Sequence, residues 1–418
     1  MATPSDDVPK ELEESEEEIT KSPFQFNLFE DLLHGIHPDT GRHHRRRYGE
    51  ELPTDNYNMN SLVAFLGGFE KWNELNEDCR MAVVKCLSYN DRCQLGICSK
   101  KDYDTVKSTP LDVYSISIHN DRSINYKHLV VEVQLHPDYS SGFKAIFSQL
   151  GRDTQIQLFA YNPNYRTKNR SLILKSCNYI QKAVKFAENW MKRGSFQLKD
   201  IRVELENYPI GNSQIKSFQK CEFIRIGADD LETLRWWIKK LPNRLEIFEL
   251  GRLPNQKAFT IPSDLLNAPQ IMQTSVFKFW CRADFSDEQL LSLKANDFIF
   301  HSVSITDKGI NQYIKKWING NGVPNFKRAV LWTTEDRNFD EITRELEYRE
   351  WERDFENEQT VFCRYFDQLC GRGRCVQIYS ETNQYESITL NVSSNCVAIY
   401  GTGHKKENYE KTEYSIRL

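Results

Sequence analysis

Histidine and cysteine are the residues of this chain that could bind a metal. Four of the nine histidines lie close together, at His34, His37, His43 and His44, and imidazole nitrogens are common zinc ligands. A zinc site needs a second group of ligands at a defined spacing, and none follows this cluster. The eleven cysteines stand singly, without a Cys-x-x-Cys pair. The sequence therefore predicts neither a zinc site nor a disulfide framework.

The motifs that accompany catalysis are missing from the sequence. It contains no glycine-rich phosphate loop, no Gly-x-Ser-x-Gly nucleophile elbow and no His-Glu-x-x-His metalloprotease motif. The 59 acidic and 55 basic side chains are what a solvated surface supplies. We predict a protein that is not an enzyme and needs no cofactor, and whose chemistry is recognition by noncovalent contacts.

Composition limits the partners and the compartment. A chain of 418 residues is long enough for more than one domain. Its net charge of -4 and pI near 6.2 predict no general attraction to nucleic acid or to an anionic membrane. No apolar run approaches the roughly 20 residues of a membrane helix, and the acidic N-terminus does not resemble a secretory signal. We expect a cytoplasmic or nuclear protein with reduced thiols.

The N-terminal part is predicted to lie outside any core. Residues 1–22 form a glutamate-rich tail that we expect to be disordered. Residues 23–68 read as a linker with a short apolar helix near residues 24–33 and a basic cluster at 42–47. That cluster could bind nucleic acid, but it is short and lacks interleaved aromatic residues. A solvated loop is the favoured interpretation, and nucleic-acid binding remains a third hypothesis for the whole chain.

A helical segment from Trp72 to Tyr103 has spacing that indicates a protein partner. We predict three short helices in it, the first over about 77–87 with Asn76 or Asp78 as its N-cap. A unit this small buries too little apolar surface to be firmly stable alone, so an exposed apolar face there indicates completion by another protein. The apolar residues of the first helix recur at three- and four-residue steps and are expected to share one face: Met81, Val83, Val84 and Leu87.

This segment resembles an F-box, the helical motif that docks onto the Skp-type adaptor of cullin-based SCF ubiquitin ligases. Its pattern of an acidic residue, an aliphatic helix, a closing leucine and a Cys-Ser-basic tail is carried by Leu75, Asp78, Val83, Val84, Leu87, Asp91, Leu95, Cys98 and Ser99. The resemblance implies an F-box at 69–110 that binds the Skp-type adaptor and, through it, a cullin. The adaptor contacts it implies are Leu75, Asp78, Val83, Val84, Leu87 and Leu95.

Two positions depart from the F-box pattern. Asn76 stands where the family has proline, and Cys79 stands where the family has an aliphatic residue. Proline presets the backbone at a helix start, so its loss is expected to weaken the docking edge and leave the fold unchanged. The alternative hypothesis is therefore a protein-interaction scaffold whose F-box has lost adaptor binding and survives as a helical cap.

From residue 111 to about 335 the pattern changes to strands and helices in alternation. Successive strand candidates after residue 200 begin roughly 20 to 30 residues apart, the period of leucine-rich solenoids. The leucine motif itself is irregular, so we predict an irregular leucine-rich-repeat-like domain with a parallel sheet flanked by helices. One helix is expected near 180–193 with Gly194 as a left-handed cap. The predicted strands are 111–119, 128–135, 155–161, 171–175, 201–206, 221–226, 245–250, 275–280, 297–303 and 327–332.

Within this region, residues 304–320 are similar to the signature of the F-box-associated type 2 domain of nematode F-box proteins. The matching residues are Thr306, Asp307, Asn311, Tyr313, Lys315, Trp317 and Gly320. The resemblance implies a substrate-recognition subunit of an SCF ubiquitin ligase in which this domain binds the target. Residues such as Ile314 and Trp317, at helical spacing, are expected to be core residues.

The C-terminal part, 336–418, is predicted to hold a helix over 339–355 and an antiparallel hairpin from the strands 375–380, 387–392 and 396–400. The fold class is thus α+β or α/β, with a three-helix F-box ahead of the strand–helix domain. The target protein is not encoded in any motif. Trp236 and Trp237 are the speculative target contacts, because two adjacent tryptophans on a helix cannot both face one core.

Overall fold

The computed structural model describes residues 69–87, 92, 95–96, 98–120, 128–136, 142–160, 170–194, 198–251, 253, 259–370, 373–383, 385–404 and 413–416. The predictions for the acidic tail, the apolar helix at 24–33 and the basic cluster at 42–47 fall outside these residues. The chain divides into two compact units, one of residues 1–111 with 158–170 and the other of residues 112–157 with 171–418.

Helices and strands alternate along most of the described chain. A 3-10 helix at Phe69–Glu74 precedes the first α-helix, and a second 3-10 turn lies at Ile210–Asn212. The α-helices are α1 Glu77–Cys86, α2 Lys100–Ser108, α3 Tyr179–Gly194, α4 Leu231–Ile238, α5 Ser263–Leu266, α6 Pro269–Met272, α7 Asp287–Ser292, α8 Asp307–Ile318, α9 Phe339–Ile342, α10 Arg353–Glu358 and α11 Thr360–Cys370.

The strands make one large mixed sheet. They are β1 Ser115–Asn120, β2 His128–Gln134, β3 Gly142–Leu150, β4 Asp153–Ala160, β5 Arg170–Leu174, β6 Asp200–Glu204, β7 Phe223–Gly227, β8 Ile247–Gly251, β9 Thr260–Ile261, β10 Val276–Ala283, β11 Asp297–Ser302, β12 Arg328–Trp332, β13 Arg349–Glu350, β14 Arg374–Tyr379, β15 Ser387–Ser393, β16 Cys396–His404 and β17 Glu413–Ile416.

The middle of the sheet is parallel and follows the order of the chain. Strands β1, β6, β7, β8, β10, β11 and β12 pair in that sequence, each parallel to the next. β2 and β3 add antiparallel strands beside β1. On the other side, β16 pairs antiparallel with β12 and is followed by β15, β14 and β13. The C-terminal strands therefore extend the same sheet.

One face of this sheet is the core of the second unit. Register partners in seven neighbouring parallel strands stack their side chains in a row, and the row is fully buried. The helices α3 and α8 pack on this face, α3 through Phe186 against Phe143 and Phe147, and α8 through Tyr313 against Phe298. The residues of the row are Ile116, Ile201, Ile224, Phe248, Phe277, Phe298 and Ala329.

The opposite face, here called the open face, is polar over most of the parallel strands. Its central row runs Ser117, Arg202, Arg225, Glu249, Lys278 and then Ile299 and Val330. At Ile299 and Val330 the face is covered by α10 and α11, whose Phe355, Phe362 and Phe366 form a buried cluster with both residues. The change from charged to apolar side chains along this row thus marks where the helical cover begins.

Most strand predictions are confirmed within a few residues, whereas β3, β9, β13 and β17 were not predicted. Two further predictions about local structure, at Gly194 and over 339–355, are wrong. Gly194 ends α3 without a left-handed backbone, because glycine is needed there for space: a Cβ on Gly194 would overlap the Val113 side chain. The helix predicted over 339–355 is broken after Ile342, where Glu345 takes a positive φ of 59°, a conformation that no helix continues through.

Candidate functional site

The inner face of α1 builds the core of the first unit. Val84 is completely buried, and with Trp72 and Leu95 it forms an apolar cluster. Leu75 and Leu87 are half-buried and pack against that cluster. Asn76 caps the helix, since its side-chain oxygen accepts from the Cys79 amide at 2.8 Å. The N-cap prediction is confirmed for Asn76, so the helix has a start signal without the family's proline.

Two buried polar residues tie the elements of this unit together. Asp102 on α2 accepts from the Trp72 indole N–H at 2.5 Å and from the Ser99 hydroxyl at 2.6 Å. The guanidinium of Arg92 is 4% exposed and donates to the carbonyls of Lys85, Leu87 and Pro110. Two of these carbonyls belong to the end of α1, where a cation is favoured.

The outer face of α1 is small, apolar and exposed. Cys79, Ala82, Val83 and Cys86 are all exposed, and the steps of three, four and seven residues between Cys79 and the others place them on one side of the helix. Val83 is 41% exposed. Asp78 is also exposed, in the first turn. A helix that buries one apolar face and presents a second is suited to lie between its own unit and a partner.

The six residues predicted to contact the adaptor differ in their solvent exposure. Asp78 and Val83 lie on the surface, Leu75 and Leu87 are partly accessible, and Val84 and Leu95 are buried in the unit itself. Val83 and Val84 were expected to share a face, but adjacent helical residues point about 100° apart. Sequence reasoning did not place Cys79, Ala82 and Cys86 with Val83 on the exposed face, although their spacing from Val83 was the signal that could have found them.

In the second unit, the start of α8 is joined to the helix before it. The Asp287 carboxylate, in the first turn of α7, accepts from the Thr306 amide at 2.8 Å and from the Thr306 hydroxyl at 2.6 Å. Thr306 in turn caps α8 by accepting from the Gly309 amide at 3.0 Å. Ser286 begins α7 with a capping box, and Thr306 is the N-cap of α8.

The same motif also joins α8 to the segment after it. The Asn311 side-chain amide is buried and donates to the carbonyls of Ile342 and Arg344 at 2.8 and 2.9 Å. Lys315 pairs with Glu345 at 2.7 Å. Gly320 ends the helix with φ of 72°. The residues that carry the F-box-associated signature therefore join α8 to the helix before it and to the α9 segment after it, which is a structural role.

Trp236 and Trp237 differ in access, as two neighbours on α4 must. Trp237 is fully buried and its ring lies 5.1 Å from that of Tyr208. Trp236 is half-buried, and the Lys240 ammonium lies 5.3 Å above its ring. Of this pair, only Trp236 is partly accessible to solvent.

Groups suited to metal or nucleophilic chemistry are scarce in the part of the chain that the structure describes. There, no three His, Cys, Asp or Glu side chains are arranged to hold a metal ion. Burial raises the pKa of the Cys281 and Cys396 thiols to about 12, which keeps them protonated and poor nucleophiles at neutral pH. Among the same residues no helix has both the length and the apolar character of a membrane span.

Comparison with known proteins defines the class of this chain. Residues 72–114 match the family model of the F-box domain, and residues 270–331 match that of the F-box associated domain. The chain is 42% identical to an uncharacterized F-box protein of Caenorhabditis elegans over 362 residues, which cover 85% of this chain and 94% of the relative. The chain therefore belongs to the F-box protein family. No solved structure matches it.

Proposed function

We propose that this protein is a substrate-recognition subunit of an SCF-type ubiquitin ligase. In this proposal the F-box, residues 69–110, binds the Skp-type adaptor and through it a cullin, and the rest of the chain binds the target protein. The observation that carries the proposal is the exposed apolar face of α1, formed by Cys79, Ala82, Val83 and Cys86. Surface of this kind in so small a unit is explained by a partner that covers it.

The mechanism we propose is positional. The target bound by the second domain is held near the ubiquitin-conjugating enzyme, which raises its effective concentration there. No bond is made or broken by this chain, so the protein is not itself an enzyme and uses no cofactor. The compartments in which such a ligase would act are the cytoplasm and the nucleus.

The finer architecture that we propose supports this division of roles. The F-box would be a three-helix unit, of which the structure describes α1, α2 and helical residues at Arg92, Leu95 and Gly96. Residues 111–335 would be leucine-rich-repeat-like, because six neighbouring parallel strands begin about 20 to 30 residues apart, with helices between most of them. Repeats of this kind offer one broad sheet face for protein recognition.

A pulldown of the full chain with the Skp-type adaptor tests the proposal. We expect the unmodified chain to retain the adaptor and Val83→Glu to lose it, since a buried carboxylate without a partner is costly. Lys85→Glu is the matched control, because Lys85 is exposed on the same helix away from Val83. Melting curves establish that both variants are folded.

Failure of the unmodified chain to retain the adaptor would overturn the proposal. The alternative, a protein-interaction scaffold whose F-box has lost adaptor binding, would then account for the family membership. Equal retention by Val83→Glu and the unmodified chain would show that α1 does not carry the docking surface.

A further inference from the structure

We propose that one uncovered patch on the open face of the sheet binds a target segment in which a carboxylate side chain lies next to an apolar one. The patch consists of Trp280, Arg282, His301 and Trp332, and we call it the Trp–Arg patch. This inference rests on the proposed function, because it assigns the target-binding surface of the same protein. Both the position of these side chains and their charge support it.

The four residues are neighbours in the sheet. Arg282 on β10 pairs with His301 on β11, and His301 pairs with Trp332 on β12. Register partners in parallel strands point to the same face and lie about 5 Å apart. The row is the one next to Lys278, Ile299 and Val330. The helices α10 and α11 cover Ile299 and Val330, whereas Trp280 and Arg282 remain exposed.

Trp280 lies in β10 at a register irregularity. The pairing with β11 passes from Lys278↔Ile299 to Arg282↔His301, so β10 has two more residues than its neighbour over this interval. Alternation along the strand places Lys278, Trp280 and Arg282 on one face, and 46% of the Trp280 surface is exposed there. Bulges commonly re-aim a side chain toward a binding site.

Two aromatic side chains of the patch, Trp332 and His301, are held in place by contacts within the chain. Trp332 packs by one side against the cluster under α10 and α11. Its ring is stacked on His301 with centroids 6.2 Å apart and an angle of 29°. Val303, which directly follows β11, adds a further side chain that is 49% exposed. Ordered aromatic anchors lose little conformational entropy on binding, which is why they dominate many interfaces.

The charge of the patch determines which kind of target segment it can bind. On the parallel strands of the open face every other described arginine and lysine has an acidic partner: Arg202 with Asp200, Arg225 with Glu204 and Glu249, Lys278 with Glu249, and Arg328 with Asp297. Arg282 makes no such pair within the described residues. The nearest acid along the strand, Asp284, already accepts a hydrogen bond from Ser304. A guanidinium without an acidic partner among the described residues, on the same sheet face as two tryptophans, therefore complements a carboxylate next to an apolar side chain.

Selection from a displayed library of random twelve-residue peptides on the full chain tests the inference without a known target. We expect the enriched peptides to place Asp or Glu within two positions of an aromatic or large aliphatic residue. Synthetic copies of them should bind Arg282→Glu at least about tenfold more weakly than the unmodified chain. Trp280→Ala should weaken binding to a similar extent. Lys185→Glu, an exposed charge reversal on α3, should have no effect.

Several results would overturn the inference. These are an absence of enriched peptides, enrichment without acidic residues, or equal binding by Arg282→Glu. If the unmodified chain forms a dimer and Arg282→Glu abolishes it, the occupant of the patch is a second copy of the chain. Tighter peptide binding after Glu→Gln replacement at positions 13, 14, 16, 17 and 18 of the full chain would mean that the chain's own glutamate-rich tail occupies the patch. Adaptor pulldown of the same variants is independent, so loss of the ligase role and loss of this site are distinguished.

Discussion

The indole N–H of Trp72 donates to the carboxylate of Asp102 at 2.5 Å, across 30 positions of sequence. Trp72 lies ahead of α1 and Asp102 in the first turn of α2, so this bond closes the F-box around Val84 and Leu95. Both partners are buried. Because an unpaired buried carboxylate is costly, the bond specifies how α2 packs in the unit that carries the proposed docking face.

Replacement of Asp102 is expected to destabilise the F-box. Asp102→Ala leaves the Trp72 N–H and the Ser99 hydroxyl without their acceptor, at a cost of about 1–3 kcal/mol in the free energy of unfolding. Asp104→Ala, on the same helix but exposed, is the matched control. Chemical denaturation of both variants measures the difference, and equal stability would contradict the structural role given to Asp102.

Thiol alkylation is expected to block adaptor binding through α1. Cys79 and Cys86 are exposed on the same face of α1 as Val83. A maleimide group attached to either thiol would sterically block a partner from packing on the proposed docking face. Chain treated with N-ethylmaleimide should lose the Skp-type adaptor in a pulldown. The double variant Cys79→Ala, Cys86→Ala should keep the adaptor after the same treatment, because it has no thiol on the outer face of α1.

Exposed Cys98 provides the control for that experiment. Cys98→Ala should remain as sensitive to alkylation as the unmodified chain. If the double variant lost adaptor binding on alkylation just as the unmodified chain does, the sensitive thiol would not be on α1.

The ion pair between Lys315 and Glu345 is expected to give stability a specific pH dependence. The hydrogen bond and charge of Lys315 lower the pKa of the Glu345 carboxyl in the folded chain. A lowered folded pKa contributes stability above the pKa of the unfolded carboxyl, and this contribution is lost as pH falls through the folded value. Lys315→Gln should remove that part of the acid sensitivity, measured as unfolding midpoints across acidic pH. An unchanged dependence of stability on pH in Lys315→Gln would contradict a stabilising role of the pair. Lys308→Gln, at an exposed position of the same helix, is the control.

Local sequence signals located most of the strand–helix domain and several helix starts. Side-chain oxygens at Asn76, Ser286 and Thr306 predict N-caps because the interaction spans only three residues. The strand predictions succeeded for a similar reason, since short segments rich in β-branched and aromatic residues, with apolar and polar positions alternating, are a local pattern. The family resemblance then supplied the order of the domains.

Contacts between distant residues had no such signal. Nothing in the neighbourhood of Asp102 or Arg92 shows that one accepts from Trp72 and the other donates to Pro110. The two faces of α1 were confused because Val83 and Val84 are equally apolar and only packing decides which is buried. The Trp–Arg patch likewise depends on the pairing of β10 with β11 and of β11 with β12, which composition does not reveal.

Gly309 offers the sharpest test of the F-box-associated motif. A Cβ at this position would overlap the Asp287 carboxylate, which accepts two hydrogen bonds from Thr306. Alanine ordinarily favours a helix over glycine by about 1 kcal/mol, but losing charge-assisted hydrogen bonds costs about 1.5–3 kcal/mol each. We therefore expect Gly309→Ala to lower stability despite its better helix propensity.

A double-mutant cycle separates these two effects. Asp287→Ala removes the carboxylate, and Gly309→Ala added to it should then cost nothing or stabilise α8, because the new methyl group occupies vacated space. The measurement is the free energy of unfolding of both single variants and the double variant, with coupling of at least about 1 kcal/mol expected for residues in contact. Strict additivity would mean that Asp287 does not rest on Gly309, and the link between α7 and α8 would have to be sought in other contacts.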